Sequence, residues 1–456
     1  MLETLGAWHA TLNGWVWGPV TMLLLMGTGV YLTLLTRAVQ FRWLWKALSE
    51  VLGQVFRRTQ AEGTVTPFQA VATALASTVG VGNIAGVSTA ITIGGPGALF
   101  WLIVSGLLGM ATKFAEVVLA ITYRERDDRG TWRGGAMYIL KNGLGRPWLG
   151  TLFALLTALA AFGIGNMVQA NSVAESLKAS FGIAPAVSGV VIVALTAVVI
   201  LGGITRIADV TQFLVPFMCL SYLIGAGVIL ATHAGELPAV IETVLASAFT
   251  GHAAVGGFAG AGMMQALRYG VARGLFSNEA GLGSAPMVHA TARTDHPVRQ
   301  GLYGIFEVFV DTILVCASTG LVVLVTGEWS KGATGAALAA KAFETGLPGV
   351  WGDIVVTTGI LTFAFSTLLG WSFYGETAIA YLLGTKSILP YRLLWLVAAF
   401  LGATGSLHVV WDVADTLNGL MALPNLVALL VLSPVVARAL REFAEREAGP
   451  SRRKTP

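Results

Sequence analysis

Apolar runs of about twenty residues, separated by short polar stretches, recur along the whole chain. A helix needs roughly 20 apolar residues to cross the hydrocarbon core of a bilayer, so each run predicts a transmembrane helix. Spans are expected at 15–36, 66–93, 97–122, 148–175, 185–203, 207–232, 258–292, 301–327, 352–384, 389–407 and 415–440. The pattern predicts an all-α polytopic membrane protein of about eleven transmembrane helices, a single domain over residues 1–456.

Composition removes the rivals to that reading. The chain is 55% hydrophobic and 11% charged, with a mean hydropathy of +0.74. A soluble domain carries about 25% charged residues to hydrate its surface. A soluble enzyme, a disulfide scaffold and a disordered chain are all excluded. Cys219 and Cys316 sit in separate apolar runs and read as small packed hydrophobes rather than a bridge or a metal site. Met1 to Asn13 has neither a basic start nor a small-residue cleavage site, so no signal peptide is expected.

The net charge of +4 would suggest nucleic acid in a soluble protein. Here it reports topology, since cytoplasmic loops collect Lys and Arg, and the expected partner is the lipid bilayer. With the spans above, twenty-two of the basic residues fall on one side, among them Arg37, Arg42, Arg133, Arg299, Arg392 and Arg441. Only Lys178, Lys331 and Lys341 fall on the other, and Lys113, Arg268 and Arg273 lie within spans. The bias places the N-terminus outside a cell membrane and the tail, 441–456, in the cytoplasm.

Apart from the span at 15–36, the rest divides into two sets of five, 66–232 and 258–440. A five-helix unit must insert the opposite way the second time, giving a 5+5 inverted repeat with one extra N-terminal helix. The opening helix of each set is polar and interrupted by glycine: Ala76-Ser-Thr-Val-Gly-Val-Gly-Asn83 and Gly274-Leu-Phe-Ser-Asn-Glu-Ala-Gly-Leu-Gly-Ser284. Broken hydrophobic segments in matched positions point to the binding site of a secondary transporter.

Unwinding at Gly80 and Gly82 exposes two opposite chemistries. Freed amides at Val81, Gly82 and Asn83 open a new half-helix and can hold a carboxylate. Carbonyls left at Ala76, Thr78 and Val79 can ligate a small cation or accept from an ammonium group. The competing reading is that small residues merely let helices approach closely. In the second segment Arg273 and Glu279 can pair across the break or border a water-filled vestibule, since ionisable groups at membrane depth rarely stand alone.

Further polar groups share helical faces. Asn166 and Gln169, three residues apart, either face the cavity or hold helices together. Thr362, Ser366 and Thr367 offer hydroxyls suited to sodium, a hard cation that takes oxygen ligands, or else bond back to their own helix. Trp371 either caps a small pocket or fills a helix bundle. Lys113 with Glu116 reads as an ion pair. Glu307 with Asp311 places two like charges on one face, which calls for water access or a shared partner.

Thr73-Ala-Leu-Ala-Ser-Thr-Val-Gly-Val-Gly-Asn-Ile-Ala-Gly-Val87 and Arg273-Gly-Leu-Phe-Ser-Asn-Glu-Ala-Gly-Leu-Gly-Ser-Ala-Pro286 resemble signatures of the alanine or glycine:cation symporter family. The stretches Gly165 to Asn171 and Ser366 to Glu376 add to the resemblance, which runs from about residue 15 to 440. It implies a leucine-transporter-type fold and sodium-coupled uptake of alanine or glycine. It further implies a sodium site from the carbonyls of Ala76, Val79 and Phe363 with the hydroxyls of Ser366 and Thr367. Substrate contacts would be Thr78, Gly80, Gly82, Asn83, Gln169, Phe276, Ser277 and Trp371. In proton-coupled proteins of that fold a basic side chain takes the sodium position from the fifth helix of the first half. The expected helix 207–232 has no Lys or Arg, which favours a metal cation.

No cofactor is expected beyond the transported sodium. The alternatives are a proton-coupled small amino acid carrier of the same fold and, more remotely, a membrane-embedded enzyme. The six histidines form no HExxH cluster and no Gly-Lys-Ser/Thr phosphate loop is present, so an enzyme is not expected.

Overall fold

The computed structural model describes residues 13–54, 61–250, 259–405 and 408–448. The expectation of no signal peptide, and most of the tail, lie outside them. Apart from a two-residue ladder pairing Glu125–Arg126 with Trp132–Arg133 and an isolated bridge between Val65 and Ala292, the regular structure of the described chain is helical.

The principal helices are α1 (Pro19–Leu35), α2 (Pro67–Thr78), α3 (Ala85–Gly94), α4 (Gly97–Thr122), α5 (Pro147–Phe181), α6 (Pro185–Ile200), α7 (Gly203–Thr232), α8 (Ala259–Asn278), α9 (Pro297–Val325), α10 (Trp351–Leu383), α11 (Ile388–Thr404) and α12 (His408–Val431). Among the described residues eight helices are long and apolar enough to cross a bilayer. The bent pair α2–α3 passes the same test when its two helices are taken together, which makes nine if the pair is counted as one broken span. The remaining two expected spans are helical but weaker. α6 has 16 residues, short of the roughly 20 needed for a perpendicular crossing. α8 carries Arg268 and Arg273 in its 20 residues.

Boundaries differ where local chemistry overrides hydropathy. α7 starts at Gly203 and therefore contains Arg206, whose side chain is exposed in the first turn. The run expected at 415–440 is two helices, because Pro434 opens a new one over Ser433–Glu447. Proline lacks an N–H and is at home in a first turn, although α12 itself carries Pro424 in its interior. The tail expected from 441 thus begins inside that helix.

Two sets of contacts position the interior. α4 packs against both α8 and α9, while α10 packs against α2, α5 and α7. Close approach needs small residues: a Cβ at Gly274 would collide with Ser105 of α4. The outer surfaces of α6 and α7 leave Leu195, Phe213 and Leu220 exposed, as expected of helices that face lipid.

The loops expected on the basic side do gather on one face. Glu376 accepts from Arg133 (3.0 Å) and Arg392 (2.6 Å), Arg392 donates to the Leu201 carbonyl, and Thr385 donates to Asp128. Arg124 donates to the carbonyls of Glu62, Ala290 and Ala292. Arg299 pairs with Glu50 and Glu447, and Lys46 with Glu447. Loops separated by an even number of crossings are expected to meet in this way.

Candidate functional site at the broken helices

The first break is built by local rules. Thr66 and Gln69 form a capping box that starts α2 with Pro67 in its first turn. The helix stops at Thr78 because Val79 and Gly80 turn to extended backbone. A single 3-10 turn, Val81–Asn83, then leads into α3, and the two helices meet at a bend of 61°. The Asn83 side chain stabilises the break by accepting from the Gly80 N–H at 2.9 Å, while its backbone N–H donates to the Gly80 carbonyl. Of the three amides expected to be free, Asn83's is therefore used within the turn. Val81 and Gly82 supply its first N–H groups, which have no partner inside such a turn.

On the other side of the break, four of the five expected cation ligands come together. The Ser366 hydroxyl donates to the Ala76 carbonyl (3.1 Å) and to Phe363 (2.9 Å), and Thr367 donates to Phe363 (2.9 Å). Thr367 Oγ1 would stand only 2.7 Å from a Cβ at Gly80. All of these groups are buried. Val79 is buried in the same break, but none of these hydrogen bonds reaches its carbonyl. Thr362 bonds back to Thr358 (2.7 Å) and takes no part. Oxygen atoms from two helices, with water excluded, are the donor set that a hard monovalent cation takes.

The expected substrate contacts divide. Gln169 donates from Nε2 to the Ile164 carbonyl, and its buried Oε1 has no hydrogen-bond partner among the described residues. That oxygen would stand 3.6 Å from a Cβ at Gly80, so it is an acceptor aimed at the break. Phe276 covers Gly82, its ring atoms 3.5 Å from a Cβ there. Trp371 lies against Gly165, where a Cβ would collide with it. Thr78 bonds back to the carbonyls of Ala74 and Leu75. Asn166 donates to the Trp395 carbonyl at 2.8 Å and holds helices together.

Asn83 and Ser277 meet each other's neighbourhood through Asp311. Asn83 Nδ2 donates to Asp311 Oδ1 at 2.6 Å, and Ser277 donates to both carboxylate oxygens at 3.1 and 2.9 Å. Thr312 adds a third donor at 2.8 Å. The Cys316 sulfur lies 3.3 Å from Asn83 and 3.2 Å from Ser277. Polar residues of both breaks thus converge on one buried carboxylate.

The second break follows Asn278. Glu279 takes a left-handed conformation (φ 55°), and Gly281 and Gly283 follow at 92° and 79°, where glycine alone is unstrained. The freed amides of Gly281 and Gly283 donate to Glu116 Oε1, at 3.1 and 3.0 Å, beside Asn425 Nδ2 at 2.7 Å. Here the protein supplies its own carboxylate to the amides.

This sequence matches the Sodium:alanine symporter family over residues 2–455. The chain belongs to that family. It is 48% identical over 443 residues to the sodium/alanine symporter AgcS of Methanococcus maripaludis, covering 95% of this chain and 96% of that protein. It is 36% identical over 456 residues to a putative sodium/proton-dependent alanine carrier protein of Bacillus subtilis, covering 96% and 92%. Among solved structures, the nucleobase-cation-symport-1 transporter Mhp1 in a closed conformation matches at 15% identity and a TM-score of 0.48, covering 85% of this chain and 96% of that one.

Family membership makes this chain a multi-pass membrane transporter rather than an enzyme, with sodium the family's transported cation. Several pairings expected in the symporter's interior are replaced by others. Lys113 pairs with Glu307 at 3.2 Å, and Glu116 turns to the second break. Glu307 also accepts from His289 (2.8 Å), whose other nitrogen accepts from Gln300 (2.9 Å). Glu307 and Asp311 therefore have separate partners instead of a shared one. Glu279 accepts from Ser284 at 2.5 Å and Arg273 lies over the Phe276 ring; no ion pair joins Arg273 and Glu279 among the described residues.

Asp311, Cys316 and Glu116 are the groups whose role at the site the sequence did not reveal. Asp311 and Cys316 lie five apart, on different faces of an α-helix. The segment Phe309–Cys316 is a π-helix, whose i to i+5 spacing brings them to one side. No periodicity in the letters announces that switch.

Proposed function

We propose that this protein couples inward movement of sodium to uptake of a small neutral amino acid, alanine or glycine, by alternating access. The observation that carries the proposal is the oxygen cluster of Ala76, Phe363, Ser366 and Thr367 facing Gly80 across the break. Sodium would sit among those oxygens, held by the carbonyls and by the hydroxyl lone pairs with the O–H bonds turned away, and with the Val79 carbonyl as a fifth ligand. The substrate carboxylate would bond the Val81 and Gly82 amides, and its ammonium group Gln169 Oε1. Phe276, Trp371 and Gly165 would close around a side chain of methyl size or smaller. Thr78, Asn83 and Ser277 would shape the site without touching the substrate.

The assignment to the first break has a physical basis. Glu116 already neutralises the second break's amides, so a carboxylate ligand has nothing to gain there. The sets 66–232 and 258–440 would act as the two inverted repeats, with the basic face in the cytoplasm. One sodium moving through about 100 mV yields about 2.3 kcal/mol, and a tenfold gradient about 1.4 kcal/mol. That drives accumulation of several hundredfold without ATP.

A proton-coupled cycle is the second reading, favoured by Asp311. Its hydrogen-bond partners, Asn83, Ser277 and Thr312, are all neutral, so a proton would remove an otherwise unbalanced charge. Uptake of radiolabelled alanine into proteoliposomes separates the two. Sodium-driven uptake that Thr367→Ala abolishes and Asp311→Asn retains supports the first reading. Uptake driven by a proton gradient alone, and lost in Asp311→Asn, sinks it in favour of the second.

A further inference from the structure

Remote from the broken helices, the basic face holds a cavity of about 380 Å³ between the end of α1 and the Ser433–Glu447 helix. Its floor includes Leu35, Trp43 and Leu440, and its rim carries Arg37, Arg42 and Arg441. No carboxylate lines it. Arg441 Nε donates to the Ala437 carbonyl at 3.3 Å, which fixes the guanidinium and leaves its terminal nitrogens for another acceptor. Other basic groups of this face have acidic partners: Lys46 has Glu447, and Arg299 has Glu50, Asp295 and Glu447. Among the described residues none of the three rim arginines forms an ion pair.

The backbone is bent to make this arrangement. Arg37 and Ala38 both take the left-handed conformation, at φ 54° and 56°, which residues other than glycine seldom adopt. That reversal brings Arg37 and Arg42 to the same opening. Beside it the surface is apolar: Leu34 is 73% exposed, Phe41 56% and Trp45 81%. A cationic pocket thus borders an exposed apolar surface.

We propose that this cavity binds the phosphate headgroup of an anionic phospholipid, with the acyl chains lying along Leu34 and Phe41. Guanidinium groups bind phosphate oxygens in pairs through parallel N–H donors, and basic pockets beside transmembrane helices select anionic headgroups. Trp43 and Trp45 suit the level of the headgroups, where indole rings are enriched. Free inorganic phosphate has the same recognition chemistry, but it gains nothing from the apolar border. The proposal does not depend on which substrate or ion is transported.

Native mass spectrometry of the purified full-length protein tests it, with phosphatidylglycerol, phosphatidylcholine and inorganic phosphate as separate probes. Retention of phosphatidylglycerol over phosphatidylcholine is expected, with each of Arg37→Gln, Arg42→Gln and Arg441→Gln weakening it about fivefold. The corresponding lysine variants keep the charge without the fork, and are expected to fall between wild type and the glutamine variants. They also show that loss of retention is not loss of fold. Equal retention of both lipids, or undiminished retention by the triple glutamine variant, overturns the proposal. Inorganic phosphate held as tightly as phosphatidylglycerol, with the same dependence on the arginines, overturns the assignment to a lipid.

Discussion

Gly80 and Gly82 look alike in the sequence and differ in what surrounds them. A methyl group at Gly80 would stand 2.7 Å from Thr367 Oγ1, whereas one at Gly82 would meet Phe276 at an ordinary 3.5 Å. Gly80→Ala is expected to lower alanine uptake about tenfold to a hundredfold, the range of overpacking energies, and Gly82→Ala by much less. Equal losses in proteoliposome uptake would place the site elsewhere. Ser366→Ala removes one of the hydroxyl ligands, and the sodium concentration giving half-maximal uptake is expected to rise about tenfold. Ser366 and Thr367 were legible because hydroxyls in an apolar span need a reason, and the family resemblance supplied it. Gln169 and Asn166 were not separable, because the π-helical segment Phe162–Met167 contains Asn166 and ends before Gln169, so their relative facing does not follow α-helical spacing.

Helices themselves were easy to read and their joints were not. Hydropathy located every long apolar helix, yet it merged α12 with the Ser433–Glu447 helix and stayed silent about π-segments. Interior ion pairs failed for the same reason: Lys113 and Glu116 are neighbours along α4, but Glu307 of α9 holds the lysine. Lys113→Met leaves Glu307 without its cation, and breaking such a buried pair costs about 3–5 kcal/mol. Thermal unfolding is expected to show that loss for the single variant and partial recovery for Lys113→Met with Glu307→Gln. Outside the membrane, His296 caps α9 by accepting from the Val298 N–H at 3.2 Å. Burial first, and then Arg446, hold its pKa below the usual value. The unfolded chain thus binds the proton more readily, so stability is full above the ordinary value near 6.5 and declines as pH falls through it. His296→Asn, which keeps a capping acceptor, is expected to flatten that decline in unfolding scans between about pH 7 and 5.

For the whole molecule, the loops that the charge bias assigns to one side are the ones that the structure ties together. The sequence could group the basic loops together, but it could not show that Glu376 would join Arg133 to Arg392. That clasp has a kinetic consequence. Ion pairs on the basic face link the loops after α1, α4, α10 and the second break, and Arg392 ties in the loop after α6 through the Leu201 carbonyl, whereas on the opposite face, among the described residues, the Lys331–Glu328 pair is local, three residues apart. In an alternating cycle only one gate must part charges on opening. Arg133 and Glu376 are buried while the clasp is shut, but once parted their charges are exposed and salt screens them over about 8–10 Å, so the two compartments should not be equivalent. Raising ionic strength with an impermeant, sodium-free salt on the clasped side is expected to hasten net turnover. The same addition on the other side should leave it unchanged, a polarity measurable by comparing right-side-out with inverted vesicles.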